Sequence, residues 1–134
     1  MHPNHVIKPY ATQTENNITF LFSVETTYTC LSGTLQLTCP GDKIITDISA
    51  FYGQWNDGCI EDDQCCDPTP NDCKEDMSQV AEHNADYQTI YNACNNQTSC
   101  AVQLYQTSLD SCNSPYIGEY ALVNYTCFPG KGLG

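Results

Sequence analysis

Tyr120-Ala121-Leu122-Val123-Asn124-Tyr125-Thr126-Cys127-Phe128 is the stretch that decides the fold. Ala121, Val123, Tyr125 and Cys127 occupy alternate positions, the period of a strand with one buried face. Working back along the chain, Leu35-Gln36-Leu37-Thr38-Cys39 repeats the pattern, with Leu35, Leu37 and Cys39 facing one way, and Pro40-Gly41-Asp42 makes a turn. Residues 44–52 are rich in β-branched side chains and place Ile44, Ile48, Ala50 and Tyr52 on one face. Residues 99–105 align Cys100, Val102 and Leu104, and residues 26–31 supply a fifth strand. One helix is expected over about 77–94, where Met77, Val80, Ala81, Tyr87, Ile90, Tyr91 and Cys94 recur at three- and four-residue intervals. Asp76 or Asn84 is suited to cap its start, and Asn95-Asn96 to stop it. The expected architecture is a β-rich α+β domain: a small, disulfide-rich, five-stranded antiparallel β-sandwich with one main helix.

Ten cysteines in 134 residues place that domain in an oxidising compartment, secreted or on the extracellular part of a membrane protein. Against 16 acidic residues stand four lysines and no arginine, a formal charge of −12. Phosphate binding needs clustered cations, so nucleic acid is not expected as a partner and adhesion to anionic lipid is disfavoured. No apolar run approaches the roughly 20 residues that span a bilayer, so no direct membrane insertion is expected. Residues 18–24 are too short and too far in for a signal peptide, and Gly130-Lys131-Gly132-Leu133-Gly134 reads as a linker, so an excerpt of a longer protein is expected. The chain divides into a polar lead-in or tail (1–24), one folded domain (25–128) and the linker (129–134). Asn17, Asn96 and Asn124 each open an Asn-X-Thr glycosylation acceptor.

The segment 56–74 is acidic, proline-containing and holds four cysteines, and reads as a stapled surface loop. Asp57, Glu61, Asp62, Asp63, Asp67, Asp72, Glu75 and Asp76 cluster in and beside it, but their spacing matches no EF-hand loop, so solvated charge is expected rather than calcium. Cys65, Cys66, Cys73 and His83 do not form a zinc pattern, because adjacent cysteines converge poorly on one ion. His83, the one histidine within the domain, is expected to be exposed, and no serine lies in a nucleophile elbow. Neither an enzyme, a metal nor a cofactor is expected.

Several stretches, in order, resemble the galactose/rhamnose-binding lectin domain, the sea-urchin-egg-lectin type also found in latrophilin-like receptors. They are Cys30-Leu31-Ser32-Gly33; Leu35-Gln36-Leu37-Thr38-Cys39-Pro40; Ile48-Ser49-Ala50-Phe51-Tyr52-Gly53-Gln54, followed by Cys59; Cys94-Asn95-Asn96-Gln97-Thr98-Ser99-Cys100-Ala101-Val102; Asp110-Ser111-Cys112; and Val123-Asn124-Tyr125-Thr126-Cys127. The match covers Cys30 to Cys127. The resemblance implies the bridges Cys30–Cys59, Cys39–Cys127 and Cys94–Cys100, with Cys112 bonded to Cys73 or Cys66 and the remaining one of those two joined locally to Cys65.

In sugar-binding members, the resemblance implies a site made by a Glu just after the first cysteine, an Arg after Tyr-Gly, an Asp before the seventh cysteine and a Lys before the last strand. Here Leu31 or Ser32 replaces the Glu, Gln54 replaces the Arg and Glu119 stands where the Lys is expected. Tyr52, Gly53 and Asp110 are kept. The candidate ligand-binding residues are therefore Tyr52, Gly53, Gln54, Asp110 and Glu119, with the usual monosaccharide pocket largely rewritten. The expected function is an extracellular recognition module binding a cell-surface or secreted protein, or a glycan, with a lectin of altered sugar specificity as the alternative.

Overall fold

The computed structural model describes residues 5–15, 18–56, 65–114 and 116–130. Seven strands and one α-helix follow in the order β1 (His5–Glu15), β2 (Ile18–Cys30), β3 (Thr34–Thr38), β4 (Lys43–Gln54), β5 (Cys73–Asp76), α1 (Asn84–Cys94), β6 (Ser99–Gln103) and β7 (Tyr120–Pro129). All strand pairings are antiparallel. Five strands form one sheet in the order β1-β2-β7-β4-β5, and β3 pairs with β6 in a second sheet of two. The protein is thus a small, β-rich α+β fold.

The core lies where the two sheets and α1 meet. Leu35 and Leu37 of β3 and Val102 of β6 pack with Ile45, Ala50 and Tyr52 of β4, Val123 and Tyr125 of β7, and Ile90 of α1. Cys39–Cys127 ties the sheets covalently. Beside it, the Tyr125 hydroxyl accepts from Thr38 N–H and donates to Thr38 O, both at 3.1 Å. Burial, and then the nearby Glu25 charge, push the Tyr125 hydroxyl up to about 12, so it stays protonated and able to donate.

Two strands lie outside the five expected. Residues 1–24, read as a polar lead-in, contribute β1 and the start of β2, which extend the larger sheet. The sequence shows only the end of β2, from residue 26, because its buried positions from residue 22 onward are Ser23, Glu25, Thr27 and Tyr28, three of them polar, so the earlier part carries no apolar alternation. The strand β5 falls at the end of the acidic segment and pairs with residues 51–54 of β4.

The phase of β4 also differs from expectation. Its register on β7 shifts between Thr46 and Ser49, with Asp47 at φ 52°. One extra residue at this bulge turns Ile45, fully buried, to the core in place of Ile44, while Ile48, Ala50 and Tyr52 stay inside. The helix is shorter than 77–94. Asp76 accepts from Ser78 N–H and Ser78 Oγ at 2.9 and 2.7 Å, which holds the chain in a turn, and a 3-10 turn at Ala81–His83 precedes α1.

Gly53 fixes how closely β4 and β7 approach. A Cβ there would fall on the Tyr120 ring, whose hydroxyl would lie 2.5 Å away. Tyr120 is fully buried and anchored through its hydroxyl, so it has nowhere to retreat. Gly53→Ala is expected to lower stability by about 1–3 kcal/mol, as overpacking does, measurable by urea unfolding.

Candidate functional site

Four disulfides are present among the described residues: Cys30–Cys65, Cys39–Cys127, Cys73–Cys112 and Cys94–Cys100. The partner of Cys30 is therefore Cys65, not Cys59, and Cys65 is not joined locally to Cys66 or Cys73. Two bonds place residues 65–67 against the end of β2 and β4. Tyr28 of β2 donates to Asp67 at 2.6 Å, and the Trp55 indole N–H donates to Cys66 O at 3.1 Å. Cys65 is thereby brought to the β2 terminus, 5.8 Å from Cys30 between α-carbons. Cys66 is disulfide-bonded too. Cys59 and the acidic residues Asp57, Glu61, Asp62 and Asp63 lie outside the described residues. Four bridges, with no described helix long and apolar enough to cross a membrane, fit an extracellular or secreted domain.

Where β2, β4 and β7 end together, a cavity of about 410 Å³ opens. Leu31 N–H donates to Glu119 O at 3.1 Å, and Glu119 N–H donates to Gly53 O at 2.8 Å, so the three strand ends are stitched across the site. Leu31, Trp55, Ile117 and Glu119 line it, the Cys30–Cys65 bridge forms one wall, and Gln106 and Gly118 close another side. Glu119 Oε1 accepts from the Trp55 backbone N–H at 2.8 Å. The Trp55 ring leans on Tyr120, with centroids 5.7 Å apart. Gln106 is held from both sides: its backbone N–H donates to Ser32 Oγ at 3.1 Å and its side-chain amide to Gly118 O at 2.6 Å.

The five candidate residues divide. Glu119 lines the cavity beside Leu31, one of the two residues, with Ser32, that stand where the resemblance places an acid. Gln54 is buried behind it: its amide donates to Asn113 O at 2.8 Å and accepts from Asn113 N–H at 3.1 Å, so it braces the backbone at Asn113. Gly53 sits under Tyr120. Tyr52 is buried in the core, its hydroxyl donating to Asp86 of α1 at 2.6 Å, and burial, then that bond, raise its pKa well above the ordinary tyrosine value. Asp110 is exposed on the loop after Leu109 and is not among the lining residues. Residue typing missed Trp55, Gln106 and Ile117; the single tryptophan, next to Gln54, was the one available signal.

The acidic segment also departs from expectation. Asp72 is buried and accepts from Asn56 N–H, Thr69 N–H and Thr69 Oγ1, each at 2.8 Å, and from the Tyr120 hydroxyl at 2.7 Å. Glu75 of β5 is buried, and His83, expected to be exposed, is fully buried with Nε2 2.8 Å from Glu75 Oε1. The other oxygen of Glu75 accepts from Ser111 N–H at 2.9 Å and Ser111 Oγ at 2.5 Å. The carboxylate lies between serine and histidine, so His83 is not placed to take a proton from Ser111. The His83 ring meets Tyr52 edge-on at 4.9 Å. These carboxylates hold the loops that frame the cavity.

Burial pushes both carboxyls up, but the hydrogen bonds outweigh it. Thr69, Tyr120 and Asn56 hold Asp72 below the ordinary range, and Ser111 with His83 does the same for Glu75. A depressed folded-state pKa gives stability above the unfolded value and loses it as pH falls through the folded one. The melting temperature is therefore expected to be flat down to about pH 5 and to fall below about pH 4, near the unfolded carboxyl values. Thermal melts by circular dichroism check this, and Asp72→Asn should make the acid-side fall shallower.

A second hollow, about 640 Å³, is lined by Asp42, Ile44, Gly130 and the exposed turn Asn96-Gln97-Thr98. It has no aromatic wall. Asn96 is exposed at its rim. Asn124 lies in the middle of β7, its side-chain oxygen accepting from Thr26 Oγ1 at 2.6 Å, so a glycan there would displace a bond between strands. Asn17 is outside the described residues.

No protein-family model matches the chain. Over 115 residues, 85% of its length, it is 30% identical to Protein eva-1 homolog C of Homo sapiens and of Pan troglodytes. Over the same length it is 29% identical to Protein eva-1 homolog C of Mus musculus. The chain spans about a quarter (24%) of the length of these curated relatives.

Proposed function

We propose that this domain is an extracellular recognition module with a galactose/rhamnose-binding lectin fold, secreted or carried on the outer part of a membrane protein, that binds a cell-surface or secreted protein through its cavity and the rim around it. The observation that carries the reading is the exposed aromatic surface on the two segments that give Gln106 and Ile117 to the cavity, which we take as its rim. Among the described residues, the most exposed large apolar side chains are Tyr105 at 69%, Tyr116 at 49% and Ile117 at 41%, followed by Tyr91 of α1 at 40%. The segments that carry the first three run side by side: Ser108 bridges to Ile117, and Gly118 N–H donates to Thr107 O at 2.9 Å. Exposed tyrosines on a rigid frame supply large contact area at low entropic cost, the composition of protein-binding hot spots.

The inherited sugar contacts do not favour a monosaccharide. Gln54 spends its amide on Asn113, Tyr52 spends its hydroxyl on Asp86, and Glu119 reverses the charge of the expected lysine. A lectin of altered specificity is the second reading, favoured by the Trp55 face beside the acceptors of Glu119 and Gln106.

The test is cell-surface binding of the tetramerised domain by flow cytometry, before and after enzymatic deglycosylation of the cells. Binding is expected to survive deglycosylation, and to weaken at least ~10-fold when Tyr105 and Tyr116 are both changed to alanine. L-rhamnose and D-galactose at millimolar concentration should not compete. Loss of binding on deglycosylation, with competition by either sugar, would hand the function to the lectin reading.

A further inference from the structure

We propose that the cavity between Leu31, Trp55 and Glu119 receives a basic side chain, lysine or arginine, presented by the protein partner. The inference rests on the recognition reading above and names the chemistry of its anchor. Glu119 uses Oε1 to accept from Trp55 N–H, and its second carboxylate oxygen accepts from no other described residue. Gln106 directs its amide N–H to Gly118 O, which leaves its own side-chain oxygen as a further acceptor at the wall. Among the described residues no lysine lines the cavity, and the chain has no arginine to supply a counter-charge.

The described lining residues thus offer acceptors and one negative charge, with no positive group among them. Its remaining surface is apolar or aromatic: Leu31, Ile117 and the Trp55 ring. That combination suits a Lys or Arg side chain, whose methylene stem packs on apolar surface while its head is held by a carboxylate and an aromatic face. A formal charge of −12 draws such a group toward the domain from a distance. An anionic ligand would meet an unopposed carboxylate.

The experiment follows Trp55, the single tryptophan, by its indole and backbone N–H signals in NMR titrations of the whole domain. The probes are three blocked pentapeptides, identical except for a central arginine, lysine or citrulline. Saturable shifts at Trp55 are expected with arginine and lysine, with the uncharged citrulline peptide at least ~10-fold weaker. Glu119→Gln, which keeps an oxygen for the Trp55 N–H, should weaken arginine binding at least ~10-fold, whereas Asp42→Asn, removing the same charge from an exposed turn elsewhere, should change it less than ~2-fold. Equal response to citrulline, equal losses in both variants, or no saturable shift at Trp55 would overturn the proposal. Should the peptides fail while cell-surface binding still depends on Tyr105 and Tyr116, the cation is wrong and the recognition reading stands. Should both fail, both are wrong.

Discussion

Replacing Glu75 with alanine is expected to destabilise the domain by about 3–5 kcal/mol, because it removes a buried carboxylate and leaves the groups that bond to it without an acceptor. Glu75 carries three bonds: one to His83 and two to Ser111. His83 is fully buried and its Nδ1 has no partner among the described residues, so without Glu75 the ring keeps no hydrogen bond to them while packed against Tyr52. Glu75→Gln retains an acceptor for Ser111 and should lose roughly half as much. Urea unfolding followed by far-ultraviolet circular dichroism reads the difference. A loss below about 1 kcal/mol for the alanine variant would mean that water reaches the pair and that it does not brace the loops.

Opening the Cys39–Cys127 bridge by changing both residues to alanine should have a comparable effect. The bridge closes a separation of 88 residues, and chain-entropy reasoning gives such a loop about 4–5 kcal/mol. Both residues are also buried between the sheets, so packing is lost as well. The melting temperature is expected to fall by about 10–20 °C. Cys94–Cys100, with a separation of six, is the internal comparison and should cost only about 2 kcal/mol when removed. Equal losses for the two bridges would contradict the entropic account.

Much of the fold is legible because apolar alternation and cysteine placement agree. In β7, Ala121, Val123 and Cys127 are fully buried, as their spacing requires, and β3 buries Leu35 and Leu37. The pattern fails where the physics is local or polar. The bulge at Asp47 changes the phase of β4, and no composition rule marks where an extra residue enters a strand. Ser23, Glu25 and Thr27 make one buried face of β2 polar, so the alternation that reveals the other strands is missing before residue 26 and only the last part of β2 is legible. In the acidic segment, charge counting treats all carboxylates alike. Asp72 and Glu75 are instead buried acceptors, each satisfied by donors that only the tertiary structure brings near.

The site is partly legible for the same reasons. Position relative to the last strand is enough to place Glu119 at the cavity, because the ladder from Leu31 to Glu119 to Gly53 fixes it there. Tyr52 lies one residue before Gly53, and strand alternation turns its ring into the core toward Asp86. Gln106 and Ile117 come from an irregular hairpin with no periodic signature.

The central claim is that the tyrosine rim and its cavity face the partner. Photo-crosslinking tests it most directly: a benzophenone amino acid is placed at Tyr116 in one sample and at Tyr91, the exposed tyrosine of α1, in another. Each is then irradiated on living cells. Discrete adducts are expected from position 116 and not from position 91. Adducts from position 91 alone, or equal smears from both, would contradict the account.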